Sequence, residues 1–260
     1  NNFDDLIKIG KKDSYGLYCS FSASFNQLSI NLELKSYNNL VLGNGYNEPP
    51  SLIKEHSYRL LNRSSHVLLP QNEKGYQFDI FYSFDVDSRI NFNHSLAINK
   101  FASTFRYFTF YLEYDKSFNV ASFKLFTDYA NDEFNQEKNR FTAGGTFDLN
   151  FSNINGELQF EQQIFSRNNS KVSNTVISVE VGNGSKYSAG SILELSNDPI
   201  QLREKDKRSW LGFYGRYKYS SNTNFLVFAG QRRGGPACTA GICYEVLEFE
   251  GVEIRWNTRF

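Results

Sequence analysis

Segment after segment of this chain carries apolar residues on every second position, and that period is its strongest constraint on folding. Leu17, Cys19, Phe21, Ala23 and Phe25 alternate with Tyr18, Ser20, Ser22 and Ser24. After Asn26-Gln27 the pattern restarts as Leu28, Ile30, Leu32 and Leu34 against Ser29, Asn31, Glu33 and Lys35. Successive side chains of a strand point to opposite faces, so this reads as a tight hairpin with one dry and one wet face. Tyr76, Phe78, Ile80, Tyr82, Phe84 and Val86 form the next apolar face, opposed by Gln77, Asp79, Ser83 and Asp85. The last strand sets Val252, Ile254, Trp256 and Phe260 on one parity and Glu253, Arg255, Asn257 and Arg259 on the other.

Further strands are predicted at 90–99, 104–115, 118–129, 140–151, 156–165, 173–181, 187–195, 209–219 and 223–231, with a short one near 3–9. The total is about fourteen, each roughly the length of a tilted membrane strand. The composition agrees. Only 40% of residues are hydrophobic, yet 17% are aromatic, with 25 Phe and 16 Tyr. Few apolar residues and many rings fit strands that face lipid on one side, with aromatics gathered at the interfaces. No apolar run approaches the ~20 residues of a membrane helix. A membrane reading therefore requires a closed barrel, because open sheet edges go unsatisfied in hydrocarbon. The 28 Lys+Arg balance 28 Asp+Glu, which leaves no electrostatic footprint of a nucleic-acid binder.

Walking back from a periplasmic C-terminus, connections should alternate between long outer loops and short inner turns. The long ones are read at 232–248, 196–208, 166–172, 130–139 and 38–74, with a weaker case at 10–15. The short ones are read at 220–222, 182–186, 152–155, Lys116-Ser117, Asp87-Ser88-Arg89 and Asn26-Gln27. Only the connection near Lys100 breaks the rule. Phe25, Phe84, Tyr114, Phe118, Phe151, Tyr219, Phe225 and Phe260 cluster beside the short turns, as an aromatic girdle would, although the β propensity of Phe and Tyr alone gives a similar picture. With no Met and an opening Asn1-Asn2-Phe3, the expectation is a removed secretion signal or a start inside a longer protein.

Few residues suggest chemistry. Cys238 and Cys243 lie in the last long loop, where an oxidising compartment would favour a small disulfide over two free thiols or a metal site. Cys19 reads as a small lipid-facing or packed hydrophobe. In the 38–74 loop, Pro49 and Pro50 precede residues 51–61, where Leu52, Ile53, His56, Leu60 and Leu61 fall at near-helical spacing and Tyr58 joins them as a plug candidate. A short amphipathic helix there would plug the lumen, cap its mouth, or simply pack on its neighbours. His94 sits beside Ser95 on the opposite face, and His56 and His66 have no evident orienting acid, so no nucleophile–base pair is formed. The candidate lumen residues Glu33, Lys35, Asp79, Glu157, Glu161, Arg216, Lys218, Glu253 and Arg255 form no single-sign ring.

Two blocks, residues 47–63 and 230–260, resemble an uncharacterised outer-membrane barrel family of Bacteroidota. The resemblance extends in pattern over most of the chain, and family members run longer at the N-terminus. It implies an outer-membrane location and a signal-bearing precursor, and it transfers no catalytic residue.

The expectation is thus an all-β, antiparallel, up-and-down transmembrane barrel of about fourteen strands, spanning 1–260 as one domain with periplasmic termini. It is non-enzymatic, without cofactor or metal, and acts as a subunit or scaffold of a larger outer-membrane assembly. The alternatives are a narrow gated passage for a small or apolar solute, and a barrel-embedded hydrolase. The expected partners are outer-membrane lipid and lipopolysaccharide, the barrel-assembly machinery during insertion, and other outer-membrane proteins or surface lipoproteins. The apolar residues of the last strand, Val252, Ile254, Trp256 and Phe260, would serve that assembly.

Overall fold

The computed structural model describes residues 14–39, 54, 56–66, 72–101, 103–183, 186–198, 208–239 and 242–259. Strands β1 (Tyr15–Phe25), β2 (Leu28–Asn38), β3 (Glu73–Ser83), β4 (Ser88–Phe101) and β5 (Ser103–Ser117) come first, with the helix Arg59–Arg63 between β2 and β3. β6 (Ala121–Asp132), β7 (Glu137–Phe151), β8 (Ile154–Arg167), β9 (Ser170–Asn183) and β10 (Tyr187–Ser196) follow. The chain continues with β11 (Arg208–Lys218), β12 (Thr223–Arg232), β13 (Gly235–Thr239), β14 (Ile242–Val246) and β15 (Phe249–Thr258). Thirteen strands form one antiparallel up-and-down sheet in chain order, in which β15 follows β12, while β13 and β14 make a separate hairpin.

The sheet is inside-out relative to a water-soluble fold. Along β8, Leu158, Phe160 and Ile164 are exposed while Glu161 is fully buried. Along β1 and β15, Phe21, Ile254 and Trp256 are each more than 60% exposed. Asn93, Thr142 and Glu161 are 0% exposed on the other face. Water drives apolar surface inward, so an exposed apolar face of this extent marks an interaction surface.

The polar face is curled. Tyr58 hydrogen-bonds Glu113 on β5, and its neighbour Arg59 pairs with Glu194 on β10. Those strands lie five intervals apart in the sheet, about 24 Å if it were flat at ~4.8 Å per interval. Glu161 of β8, between them in the strand order, accepts from the backbone of the same turn, so one short segment is held from β5, β8 and β10 at once and the sheet curls toward it.

The sheet is not closed among the described residues: β1 and β15 are the two ends of the strand order. As first and thirteenth members of an alternating series, they run in the same direction and cannot form an antiparallel ladder with each other. The strand expected near 3–9 lies outside the described residues.

Several sequence boundaries are corrected. The 130–139 connection is a four-residue turn between Asp132 and Glu137, and the 166–172 connection is only Asn168-Asn169. Both Asn168 and Asn169 have positive φ, as two-residue hairpin turns require. The sorting of long from short connections therefore survives only at 38–74, 196–208 and 232–248. β3 ends at Ser83, because the Asp85 carboxylate accepts the Asp87 N–H and turns the chain before Phe84 and Val86 can extend it. Likewise Phe118 opens a turn, its N–H bonded to the Ala121 carbonyl, so β6 starts at Ala121 and not at 118. The 232–248 loop is itself a hairpin.

Candidate functional site

Lys54 and residues 56–66 occupy the hollow of the curled polar face. The helix predicted across 51–61 is shorter and shifted, to Arg59–Arg63. Tyr58 stays extended before it and lends no side-chain cap. A single helical turn is unstable alone, since nucleation fixes several residues for one hydrogen bond. The sheet supplies the missing partner. Glu161 accepts the N–H groups of both Arg59 and Leu60 at 2.8 Å, which satisfies two of the donors a helix start leaves open.

Apolar contacts set the depth of the segment. Tyr58 and Leu61 cluster with Tyr111 and Phe126, and the Tyr58 and Phe126 rings stack at 3.9 Å. Leu60 packs with Val176 and Ile192. Charged and polar contacts fix its orientation. Glu194 pairs with Arg63 as well as Arg59. Arg140 donates to the Ser64 carbonyl and to Glu137, and Gln163 donates to the Ser64 hydroxyl. His66 meets Glu73, which also holds Lys35. His56 meets the Tyr111 ring at 4.4 Å, tilted by 50°, and burial together with nearby Lys54 and Arg140 pushes its pKa down to about 3, so it is neutral there.

Of the expected plug residues, His56, Tyr58, Leu60 and Leu61 come together here; Pro49, Pro50, Leu52 and Ile53 lie outside the described residues. Arg59 and Arg63, the Glu194 that pairs with both, and the Glu113 that accepts the Tyr58 hydroxyl were not anticipated. Glu161 was placed in the lumen from parity alone, without its partner.

Beyond the helix the polar face of the sheet borders open space. A cavity of ≈540 Å³ runs from Arg59 and Glu194 along β8 to β12 and β15, and continues into a second of ≈470 Å³ bordered by Asn155, Lys186 and Asn257. Glycines make this space. Gly190 faces Tyr214 across the β10–β11 ladder, and a Cβ on it would sit 2.6 Å from that ring. The ring therefore lies down over the strand and does not fill the hollow.

The other candidates are placed as follows. Val252, Ile254 and Trp256 lie on the exposed apolar face, with Trp256 stacked on Phe225; Phe260 lies outside the described residues. Cys19 is exposed on that face. His94 is also on it, held by the Tyr76 hydroxyl at 3.0 Å and the Thr109 carbonyl at 2.7 Å. Ser95, on the opposite face, donates to Asn93, so His94 and Ser95 form no catalytic pair. Among the described residues no group of His, Cys, Asp and Glu is arranged to hold a metal.

Cys238 and Cys243 are direct partners in the β13–β14 register. Opposed positions of an antiparallel pair bring Cα atoms to about 4.5–5.5 Å, within the range a disulfide spans. Alkylation of the unreduced, denatured protein should label Cys19 alone, with a 238–243 cross-linked peptide in the mass spectrum. Labelling at all three cysteines would remove the disulfide.

An up-and-down antiparallel sheet with a buried polar face and an inserted loop is the class this geometry defines. The chain belongs to DUF6029, a family of unknown function, whose model matches residues 2–260. No curated protein matches it.

Proposed function

We propose that this protein is an integral outer-membrane β-barrel whose lumen is plugged by the segment 56–66. In this reading it is a non-enzymatic subunit or scaffold of a larger outer-membrane assembly. The observation that carries it is the apolar face, exposed on strands from β1 to β15, against a polar face buried around its own loop. Lipid is the partner that such a face fits all the way round, with lipopolysaccharide at the outer end. The short turns would then face the periplasm, together with the end of β15. Closure needs a strand antiparallel to both β1 and β15, which is the direction of a strand preceding β1 in a continued meander. Other outer-membrane proteins or surface lipoproteins would dock on the exposed loops.

A second reading, a narrow gated passage for a small solute, draws on the cavity beside the helix. Two measurements test the pair. Reconstituted protein should float with liposomes and resist carbonate or urea extraction; extraction into buffer as a monomer would overturn the membrane reading. In planar bilayers the plugged scaffold should show no steady conductance, and a large constant one would sink it in favour of an open pore.

A further inference from the structure

The hollow of the sheet is filled at one end and open at the other. The helix Arg59–Arg63 packs against β13, on the side of the long connections. The two joined cavities lead from there to the short turns, sharing Glu180, Arg216, Leu226 and Arg255. Access is therefore from the short-turn end.

Charge in this space is unbalanced. Six cationic side chains line it (Arg59, Lys186, Arg216, Lys218, Arg232 and Arg255) against three carboxylates, Glu157, Glu180 and Glu194. Those carboxylates, and Glu253 beside the wall, are shared. Glu194 serves both Arg59 and Arg63, and Glu253 serves both Arg232 and Arg255. Glu180 takes Arg216 and also the Tyr214 hydroxyl at 2.7 Å. Lys186 and Lys218 add two further cations at the mouth with no ion pair among the described residues. Guanidinium forks that face such a hollow match planar or tetrahedral oxyanions, and the two lysines at its mouth add charge attraction.

We propose that this blind cavity binds a small organic anion bearing phosphate or carboxylate groups, entering from the short-turn end. Its volume lies in the range of small-molecule sites. Arg216 and Arg255, each more than half exposed, reach the ligand, while Tyr214 and Phe228 wall it. The proposal rests on the walls formed by β8–β12 and β15, and so stands or falls apart from the bilayer question.

The test is calorimetric titration of the full chain in detergent with pyrophosphate, citrate and maltose. One of the anions should bind at 1:1, more weakly as salt rises. Preference for pyrophosphate identifies a phosphate ligand, and preference for citrate a carboxylate. Arg255→Gln and Lys218→Gln should each weaken binding about tenfold, the effect of losing one charged hydrogen bond. Lys171→Gln, at the far end of the β8–β9 hairpin, should leave it unchanged. Circular dichroism confirms that each variant is folded. The proposal is overturned if neither anion binds, if maltose binds as well as they do, or if the folded R255Q/K218Q double variant binds like the parent.

Discussion

Glu194→Ala should free the plug. Glu194 is 2% exposed and is the shared partner of Arg59 and Arg63. Deleting one member of a buried ion pair leaves its partner's charge unsolvated, at a cost of about 3–5 kcal/mol. That cost falls mainly on Arg63, whose side chain is 12% exposed; Arg59, at 43%, recovers much of its hydration from water. Arg63 also lies near Arg233, which burial and Arg63 itself already push down to a pKa of about 10, so the uncompensated charge has no relief there. The cheapest response is for the segment 56–66 to leave the hollow. Trypsin should then cut after Arg59 and Arg63 in the folded variant, where the parent resists. In planar bilayers the variant should conduct. Arg59→Ala should be nearly silent, at under about 1 kcal/mol. Adding Arg63→Ala to Glu194→Ala should restore much of the protection, because it removes the stranded charge. If Glu194→Ala stays closed and trypsin-resistant, apolar packing of Tyr58, Leu60 and Leu61 holds the plug by itself and the ion pairs do not gate it.

The parts of this design visible in the sequence are those written with period two. Val252, Ile254 and Trp256 on one parity were enough to place the exposed face of β15, and Glu161 and Arg216 were placed on the polar face in the same way. The pattern fades where both faces become polar. Ser166, Arg167 and Ser170 sit at strand ends whose outer face is no longer apolar, so Asn168-Asn169 was read as the centre of a long loop and not as a two-residue turn. The plug was legible only as a near-helical run. Its position depends on Glu161 reaching Arg59, 102 residues away, and on Glu194 reaching Arg63, 131 residues away. Such pairs leave no local periodicity. The helix itself is one turn that a distant carboxylate completes, so propensity alone set its ends wrongly.

A charge placed on the apolar face should separate lipid from water by the sign of its effect. Phe160 is outward-facing near the middle of β8 and 47% exposed. In a water-exposed sheet, Phe160→Arg removes an exposed ring and costs little, within about 0.5 kcal/mol for a surface change. In a bilayer the same arginine lies near the midplane and should destabilise the protein by about 2–4 kcal/mol. Ile154→Arg, on the same face but at the short-turn end, should cost only about 0–1 kcal/mol, since an interfacial arginine reaches the headgroups. Ser178→Lys, on the polar face, should stay near neutral, because that side chain meets the cavity beside Glu180 and Glu157. The readout is urea unfolding in liposomes, followed by tryptophan emission from Trp210 and Trp256. A gradient that rises from Ile154 to Phe160 follows bilayer depth. A protein partner covering the same face would instead give costs set by local fit, and free solvent would give none. Equal small effects at both sites would therefore remove lipid as the cover of this face, and with it the barrel's place in a membrane.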